Sequence, residues 1–155
     1  VAQGLAFAAA LQIVPVSSMA AVAARVMSNE GADEVVVAQD AHMQQVYLGI
    51  YVPGDDGQPE EKMPERLHDL AVIEDLDPDG ASGRIAAGFG WQRYPELLVA
   101  NRDRVTAVSG LLHPHASDLL PPGAAAYAAG EAVAPQDVVP AYLRQKVAEK
   151  PGHSP

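Results

Sequence analysis

The stretch 35–52, VVVAQDAHMQQVYLGIYV, decides the fold class. Its apolar residues form two runs on either side of residues 41–45, which predicts two strands joined by a turn. Apolar side chains occur on both faces of the second strand, because Val46, Leu48, Ile50 and Val52 alternate with Tyr47, Gly49 and Tyr51. Since strands that are apolar on both faces are covered on both sides, we predict that this strand lies centrally in a sheet.

The residues before this stretch predict a helix, a short strand and a second helix. AQGLAFAAAL at 2–11 is typical of a helix of small residues, and IVPVS at 13–17 of a short buried strand. SMAAVAARVMSNEG at 18–31 predicts the second helix, which Ser17 or Ser18 can cap and Gly31 can end. A helix, a strand and a helix in this order are half of an α/β layer unit.

The residues after the stretch continue the alternation of turns, helices and strands. GDDG at 54–57 predicts a turn, and residues 64–70 predict a modest helix that begins at its proline. RIAAG at 84–88 predicts a short strand that enters the Gly-rich turn GFGW, with Trp91 packed at the base of that turn.

The last third of the chain predicts one more strand and one more helix. VTAVSG at 105–110 is typical of a strand, and residues 113–131 contain a helix that Pro121, Pro122 and Gly123 are expected to interrupt. The tail from Pro140 is predicted to begin ordered and to fray at its end. The chain is therefore predicted to belong to the α/β class.

Composition indicates a globular protein and excludes several functions. The 155 residues are 48% hydrophobic and 19% charged, with a formal net charge of −10. The sequence contains no Cys, which excludes disulfides, thiol catalysis and cysteine-ligated metal sites. The acidic balance argues against binding nucleic acid by general electrostatic attraction, since phosphate contacts need clustered Lys and Arg.

The negative charge is concentrated in one part of the chain. Residues 30–79 hold 14 acidic and 2 basic residues, whereas the remainder holds 6 acidic and 8 basic ones. Much of the acid lies in the loops GDDGQPEE at 54–61 and EDLDPDG at 74–80. Neither loop has the ligand spacing of a calcium loop, so we interpret them as a solvated acidic face.

The beginning of the chain is uncharged but resembles neither a signal peptide nor a spanning helix. The first basic residue is Arg25, so a basic n-region is missing, and polar residues and Pro15 interrupt the apolar run. Because Val1 is not an initiator Met and no capping residue precedes the first helix, we expect a fragment whose upstream part is missing; proteolytic cleavage is the alternative. The strand at 13–17 would then be an exposed edge that invites aggregation or swapping.

Three groups of residues could carry chemistry. His113, His115 and Asp118 could bind a metal, although Pro114 stiffens the link between the histidines and Asp118 suits the first turn of a helix. Asp40 and His42 could form a general base and its orienting acid, although no nucleophile lies beside them in the sequence.

The third group is the pair of glycines in the turn GFGW. Gly88 and Gly90 follow a predicted strand and could bring backbone N–H groups to a phosphate. The turn lacks the full G-x-G-x-x-G pattern and a P-loop Lys, so a tight structural turn is the competing interpretation. None of the three groups forms a complete active site, so the sequence predicts neither catalytic residues nor a resident cofactor.

Several motifs, taken in order, resemble the bacterial TsaB (YeaZ) family, a subunit of the machinery that makes threonylcarbamoyladenosine in tRNA. AQGLA and VPVSSM resemble the helix that follows the family's Gly-rich loop and the strand and helix after it. VVAQDAHMQQVYLGIY resembles its DAR-x-GEVY hairpin, GFGWQRYPEL its G-x-G turn, PHASDLL its P-x-A-x-DLL segment, and PAYLRQKVA its C-terminal segment. The matching residues are Asp40, Ala41, Val46, Tyr47, Pro114, Asp118, Pro140, Tyr142, Leu143, Arg144 and Ala148.

The chain departs from the family pattern at a few positions. His42 stands where the family usually has Arg, and Gln45 where it usually has Glu, which puts an ion pair at that turn in doubt. Residues 121–123 interrupt a helix that is more regular in the family. The family's first strands, first helix and GPGSFTG loop have no counterpart in the sequence and would lie upstream of Val1.

The resemblance implies an actin-like, Hsp70-like ATPase (ASKHA) fold with an incomplete first lobe and a largely whole second α/β lobe. Residues 1–33 would be a helix–strand–helix remnant of the first lobe, 34–130 the second lobe, and 131–155 a C-terminal segment with a frayed tail. It also implies a cytoplasmic protein that does no chemistry itself and does not contact a membrane.

The resemblance further implies the partners of the protein. It would pair through first-lobe helices with a TsaD-like catalytic subunit, or with a second copy of itself, and work with a TsaE-like ATPase. ATP would act at the level of the complex, and tRNA would be reached only through it. The residues expected at the partner interface are Gln3, Gly4, Leu5, Phe7 and Ala8. The alternatives are a metal-dependent hydrolase or peptidase using His113, His115 and Asp118, and a nucleotide-binding remnant using Gly88 and Gly90.

Overall fold

A five-stranded mixed sheet forms the centre of the protein. The computed structural model describes residues 1–70 and 83–145. The strands are β1 (Val35–Asp40), β2 (Gln45–Pro53), β3 (Pro59–Asp69), β4 (Arg84–Ala87) and β5 (Val105–Val108), in the spatial order β3-β2-β1-β4-β5. β2 is antiparallel to both β1 and β3, whereas β4 is parallel to both β1 and β5. The α/β class and the β1–β2 hairpin are thus confirmed, and β2 has a neighbour on each side as predicted.

The described part of the chain contains five α-helices. They are α1 (Ala2–Ala8), α2 (Ser18–Glu30), α3 (Phe89–Arg93), α4 (Pro95–Ala100) and α5 (Leu120–Ala128). Short 3₁₀ helices occupy Ala116–Leu119 and Pro135–Asp137. Within residues 1–70 and 83–145, no helix is long and apolar enough to cross a membrane.

The sheet is covered on both faces at β1, whose alternate side chains point to opposite faces. Val36 and Ala38 join the cluster that contains Trp91 and Leu97 of α3 and α4. Val35 and Val37 join the cluster formed with α2. All four β1 side chains are at most 1% exposed. The predicted burial of Trp91 is confirmed, and the turn GFGW continues into helix α3.

Helix α2 begins and ends as the sequence predicts. The Ser17 hydroxyl accepts hydrogen bonds from the backbone N–H groups of Met19 and Ala20, which satisfies donors that the helix leaves free. Gly31 ends the helix in the left-handed conformation, with φ of 65°. Although α2 is predicted to belong to the first lobe, its apolar face packs on the sheet.

A buried ion pair joins β1 and β4. The Glu34 carboxylate lies directly before β1 and accepts hydrogen bonds from Arg84 Nε and, at 2.8 Å, from Lys62 Nζ. The Arg84 residue is only 2% exposed and Glu34 9%. Since a buried charge is tolerated only when it is paired, this contact is a constraint on how the two strands assemble.

Three predicted elements are wrong in kind or extent. Residues 64–70 are predicted to be helical, but 64–69 lie in the edge strand β3, where pairing with β2 overrides the local helix signal. Pro64 is accommodated beside an irregularity in the β2–β3 register, a position where a missing N–H costs little. Residues 13–17 form no strand of the sheet, and in the described chain their only bridge joins Ile13 to Val133.

The third correction concerns Pro121, Pro122 and Gly123. They do not interrupt the helix, because both prolines lie in the first turn of α5, where backbone N–H groups have no partner within the helix. The predicted acidic loop at 74–80, Ala148 and the predicted frayed tail lie outside the described residues.

Candidate functional site

Asp40, at the end of β1, connects the β1–β2 turn to α3. Its Oδ1 accepts hydrogen bonds from the His42 backbone N–H at 2.8 Å and from the Tyr94 hydroxyl at 2.9 Å. Burial alone would raise the pKa of Asp40, but these two hydrogen bonds and the neighbouring His42 outweigh it and hold the pKa below its ordinary value. Asp40 is therefore ionised at neutral pH and acts as an anchor for the turn.

The predicted acid–base pair of Asp40 and His42 is present only as a loose surface contact. Asp40 Oδ2 and His42 Nδ1 lie 3.5 Å apart, and the His42 side chain is 87% exposed. Since the two stronger hydrogen bonds of the carboxylate go elsewhere, Asp40 orients the backbone rather than the imidazole.

The turn itself has an unusual backbone. His42, Met43 and Gln44 have φ values of 61°, 55° and 57°, so three consecutive residues with side chains are left-handed. This conformation costs roughly 1–2 kcal/mol for each such residue. The related DAR-x-GEVY pattern has Gly at the position of Gln44, which matches the residue type that tolerates this φ at no steric cost.

The turn also contacts the C-terminal segment. Arg144 Nη2 donates hydrogen bonds to the carbonyl oxygens of Ala41 at 2.6 Å and His42 at 3.3 Å. Two parts of the family pattern, separated by 103 residues in the chain, therefore meet at one place. Val46 is fully buried in the core, whereas Tyr142 is 73% exposed.

Gly88 and Gly90 pack against the backbone of β1. A Cβ at Gly88 would lie 2.3 Å from the Ala38 carbonyl oxygen, and one at Gly90 would lie 2.9 Å from the same atom. The Gly88 N–H donates to the Leu111 carbonyl, and the Phe89 N–H to Gln39 Oε1. The glycines thus serve the close approach of α3 to the sheet, and the N–H groups of Gly88 and Phe89 are bonded within the protein.

His113, His115 and Asp118 do not come together around a common point. The carboxylate of Asp118 accepts hydrogen bonds from the His115 backbone N–H at 2.8 Å and from Arg25 Nη1 at 3.3 Å. His115 Nδ1 lies 3.0 Å from the same Arg25 nitrogen, while His113 packs against Phe89. Across residues 1–70 and 83–145, no three His, Asp or Glu side chains are placed to hold a metal ion.

The pKa of Asp118 agrees with this arrangement. The hydrogen bond from the His115 backbone N–H holds the pKa of the carboxyl below its ordinary value, and Arg25 adds to that effect against the opposing influence of burial. The Arg25 guanidinium thus lies against Asp118 and His115, two of the three residues predicted to bind a metal.

A groove of about 570 Å³ lies between the start of α2 and residues 138–143. Its floor includes Gln39, Tyr47 and Glu65. Glu65 Oε1 accepts hydrogen bonds from the Ser17 hydroxyl and, at 2.6 Å, from the Tyr51 hydroxyl. Burial and the Glu65 carboxylate both raise the pKa of Tyr51, so its hydroxyl remains a donor.

Helix α1 presents an apolar face to solvent. Leu5 is 69% exposed, Phe7 75% and, just beyond the helix, Leu11 61%. Gly4 and Ala8, also expected at a partner interface, are exposed on the same side, whereas Ala6 is buried on the opposite one. Gln3 differs, because its side-chain amide donates to the carbonyl oxygens of Pro135 and Val138.

Sequence reasoning missed the partners that fix these positions. Tyr94, Arg25 and Glu65 carried no recognisable signal, because each meets its partner only through the folded chain, from 14 to 93 residues away. The Arg in the family's C-terminal motif was a signal, but its contact with the β1–β2 turn could not be read from spacing.

The family model described as "TsaD: tRNA N6-adenosine threonylcarbamoyltransferase" matches residues 1–84 of the chain. The chain is similar to the tRNA threonylcarbamoyladenosine biosynthesis protein TsaB of Escherichia coli (strain K12), with 31% identity over 150 residues. It is 29% identical over 158 residues to the protein of the same name from Haemophilus influenzae. Each alignment covers 97% of the chain, and the chain spans 64% of the length of these curated relatives.

Solved structures show the same relationship. A crystal structure of a Pseudomonas aeruginosa protein "with similarity to peptidase YEAZ" superimposes with a TM-score of 0.79 and 34% identity, covering 92% of this chain and 63% of that one. The structure of YeaZ from Pseudomonas aeruginosa superimposes with a TM-score of 0.76 and 35% identity, covering 90% of this chain and 64% of that one. Together with the family model, which matches more than half of the chain, these similarities show that the chain belongs to the TsaD-type family and, within it, to the TsaB/YeaZ proteins.

Proposed function

We propose that the protein is a non-catalytic scaffold subunit of the complex that forms threonylcarbamoyladenosine in tRNA, where it supports a TsaD-like catalytic subunit. The observation that carries this proposal is the exposed apolar face of α1, on which Leu5 is 69% and Phe7 75% exposed. Exposed apolar side chains grouped on one face are typical of a surface that another protein covers. The similarity to proteins named for threonylcarbamoyladenosine biosynthesis supports the choice of complex.

The TsaD-like partner is favoured by the chemistry of α1. Gly4 and Ala8 leave little side-chain volume between the larger Leu5 and Phe7, and small residues allow two helices to approach closely. A TsaD-type family model matches the residues that include α1, which supports a partner with a related helix at the same position. A second copy of the chain could use the same face, so a homodimer is the alternative assembly.

The catalytic work is assigned to the partners. The side chains that the sequence nominated for chemistry are engaged in structural contacts: Asp40 with Tyr94, and Asp118 with Arg25. We assign hydrolysis of ATP to a TsaE-like subunit and contact with tRNA to the assembled complex, because a chain of net charge −10 is poorly suited to hold tRNA alone. This role places the protein in the cytoplasm.

The architecture fits the same proposal. We assign the chain to the actin-like, Hsp70-like ATPase fold, with residues 1–33 in the first lobe, 34–130 in the second and 131–155 as a C-terminal segment. One face of the mixed sheet packs on α3 and α4 of the second lobe and the other on α2 of the first, which supports an α/β layer that a helix from residues 1–33 completes.

The test is reconstitution with and without the protein. The protein alone should form no threonylcarbamoyladenosine, and adding it to the TsaD-like and TsaE-like subunits should restore formation in tRNA, measured by mass spectrometry of nucleosides. Leu5→Asp should weaken binding to the TsaD-like subunit by more than about 30-fold, as expected when a charge replaces an apolar anchor at an interface centre.

The matched control is Val99→Asp on α4, because Val99 has the same 69% exposure as Leu5 but lies outside α1. The control should bind the partner as the parental protein does. Modification that proceeds equally well without the protein would refute the scaffold role.

A further inference from the structure

The C-terminal segment 131–145, which we call the strap, runs from the N-terminal segment to the β1–β2 turn. Its first half is fixed by a two-way backbone bridge between Ile13 and Val133, with both N···O distances at 2.9 Å. The Gln3 amide adds hydrogen bonds of 2.9 Å to the Pro135 carbonyl and 3.0 Å to the Val138 carbonyl. This half of the strap is therefore held by several separate contacts.

The second half is held by one side chain. Within the described chain, the hydrogen bonds that join residues 139–144 to the rest of the fold all come from Arg144. Its Nη2 donates to the Ala41 and His42 carbonyls, and its Nη1 lies 3.5 Å from Met43 Sδ. Val139 (71%) and Tyr142 (73%) are exposed, whereas Leu143 is half-buried at the groove.

Two of the three residues that Arg144 contacts, His42 and Met43, are strained. His42, Met43 and Gln44 are all left-handed, a conformation that persists only where the surroundings enforce it. The turn also contains hydrogen bonds from the His42 N–H to Asp40, from the Ala41 N–H to the Gln45 carbonyl, from the Gln45 N–H to the His42 carbonyl, and from the Leu70 N–H to the Gln44 carbonyl. Arg144 adds hydrogen bonds to this turn from outside the hairpin.

The strap also forms one wall of the groove above Glu65. Residues 138–141 and 143 line it opposite residues 15–19. Movement of the second half of the strap therefore changes access to Gln39, Tyr47 and Glu65 on the groove floor.

We propose that Arg144 is a latch that couples two states of the molecule. In the latched state, it keeps the strap over the groove and holds residues 42–44 in their strained turn. When the Arg144 hydrogen bonds break, the second half of the strap leaves the groove and the turn loses the contact that enforces its conformation. Arg144 is a positioning residue in this device, and the inference rests on these contacts and not on the identity of the partner.

Hydrogen exchange measured by mass spectrometry on the full chain tests the latch. Arg144→Ala should raise the exchange rate at least about tenfold in two separate peptides, one covering residues 138–145 and one covering 41–46. Arg144→Lys should give an intermediate increase in both, because Lys keeps the charge but loses the planar fork that reaches two carbonyl oxygens. Arg102→Ala is the control, since Arg102 is 78% exposed and pairs with the neighbouring Asp103.

A second variant tests the role of strain. Gln44→Gly removes the steric cost at one left-handed position, so adding Arg144→Ala should raise exchange in the turn less in this background than in the parental chain. An unchanged strap peptide in Arg144→Ala overturns the latch, as does faster exchange in the strap without any change in the turn. An equal increase with and without Gln44→Gly overturns the coupling to strain. Circular dichroism that matches the parental spectrum shows that each variant has folded.

Discussion

The sheet and the surface formed by α1 and the strap use apolar residues in opposite ways. Leu48 and Ile50 in β2 are completely buried, whereas Leu5 in α1 is 69% exposed and Tyr142 in the strap 73%. Burying a side chain of this size stabilises a protein by about 1.5–3 kcal/mol, a contribution that an exposed side chain does not make. The sheet residues therefore stabilise the fold, while the α1 and strap residues leave apolar area exposed.

The two regions also differ in how they treat charge. In the sheet, Arg84 is 2% exposed and is paired with Glu34. On the strap, Arg144 is bonded to carbonyl oxygens at the protein surface. Loss of the first arginine leaves a buried carboxylate without this partner, whereas loss of the second leaves carbonyl groups that water can reach.

The largest effect on stability is expected from Arg84→Ala. Removing one member of a buried ion pair costs about 3–5 kcal/mol, and the loss should lie near the lower end of this range because Glu34 keeps Lys62 as a partner. The free energy of unfolding, measured by urea denaturation, should fall by that amount. Arg102→Ala, on the surface, should change it by less than about 0.5 kcal/mol. Equal effects of the two substitutions would remove the distinction between the sheet and the surface.

Two Leu→Ala substitutions sharpen the comparison of apolar residues. Leu48→Ala should lower the free energy of unfolding by about 2–5 kcal/mol, since it leaves a cavity between sheet and helices. Leu5→Ala should alter it by no more than about 0.5 kcal/mol, because Leu5 is largely in water before any partner binds. A loss above about 2 kcal/mol for Leu5→Ala would mean that α1 belongs to the core of the isolated chain.

A smaller effect is expected from acid. The folded pKa values of Asp40 and Asp118 lie below the ordinary 3.8, so the stability they contribute is fully present above that pH and is lost as the pH falls through the folded values. Asp40→Asn should flatten this part of the curve of unfolding free energy against pH. A curve as steep in the variant as in the parental protein would show that Asp40 does not anchor the turn electrostatically.

Local sequence patterns predicted the elements whose conformation depends on residues close together in the chain. The β1–β2 hairpin, the Ser17 cap, the Gly31 end and the burial of Trp91 all follow from patterns within a few residues. Pro64 gave the wrong element, because a proline that favours the start of a helix is equally acceptable beside a bulge in an edge strand.

The candidate site was less predictable than the fold. The sequence identified the motif residues Asp40 and Arg144. It did not predict the hydrogen bond between Asp40 and Tyr94 or the hydrogen bonds between Arg144 and the β1–β2 turn. These contacts join positions 54 and 103 residues apart, and no periodicity in the sequence encodes them. The composition of α1 indicates an apolar helix. Which of its side chains are exposed depends on the side of the helix that contacts the strap, and the sequence does not show this.

The outer strand β3 has a consequence for how copies of the protein can meet. Glu60, Glu61, Lys62 and Pro64 lie along this strand, and its pairing with β2 is irregular. Charges, proline and bulges on an outer strand discourage a second chain from extending the sheet. Copies that meet along β3 are therefore discouraged from the strand-by-strand growth that produces fibrils.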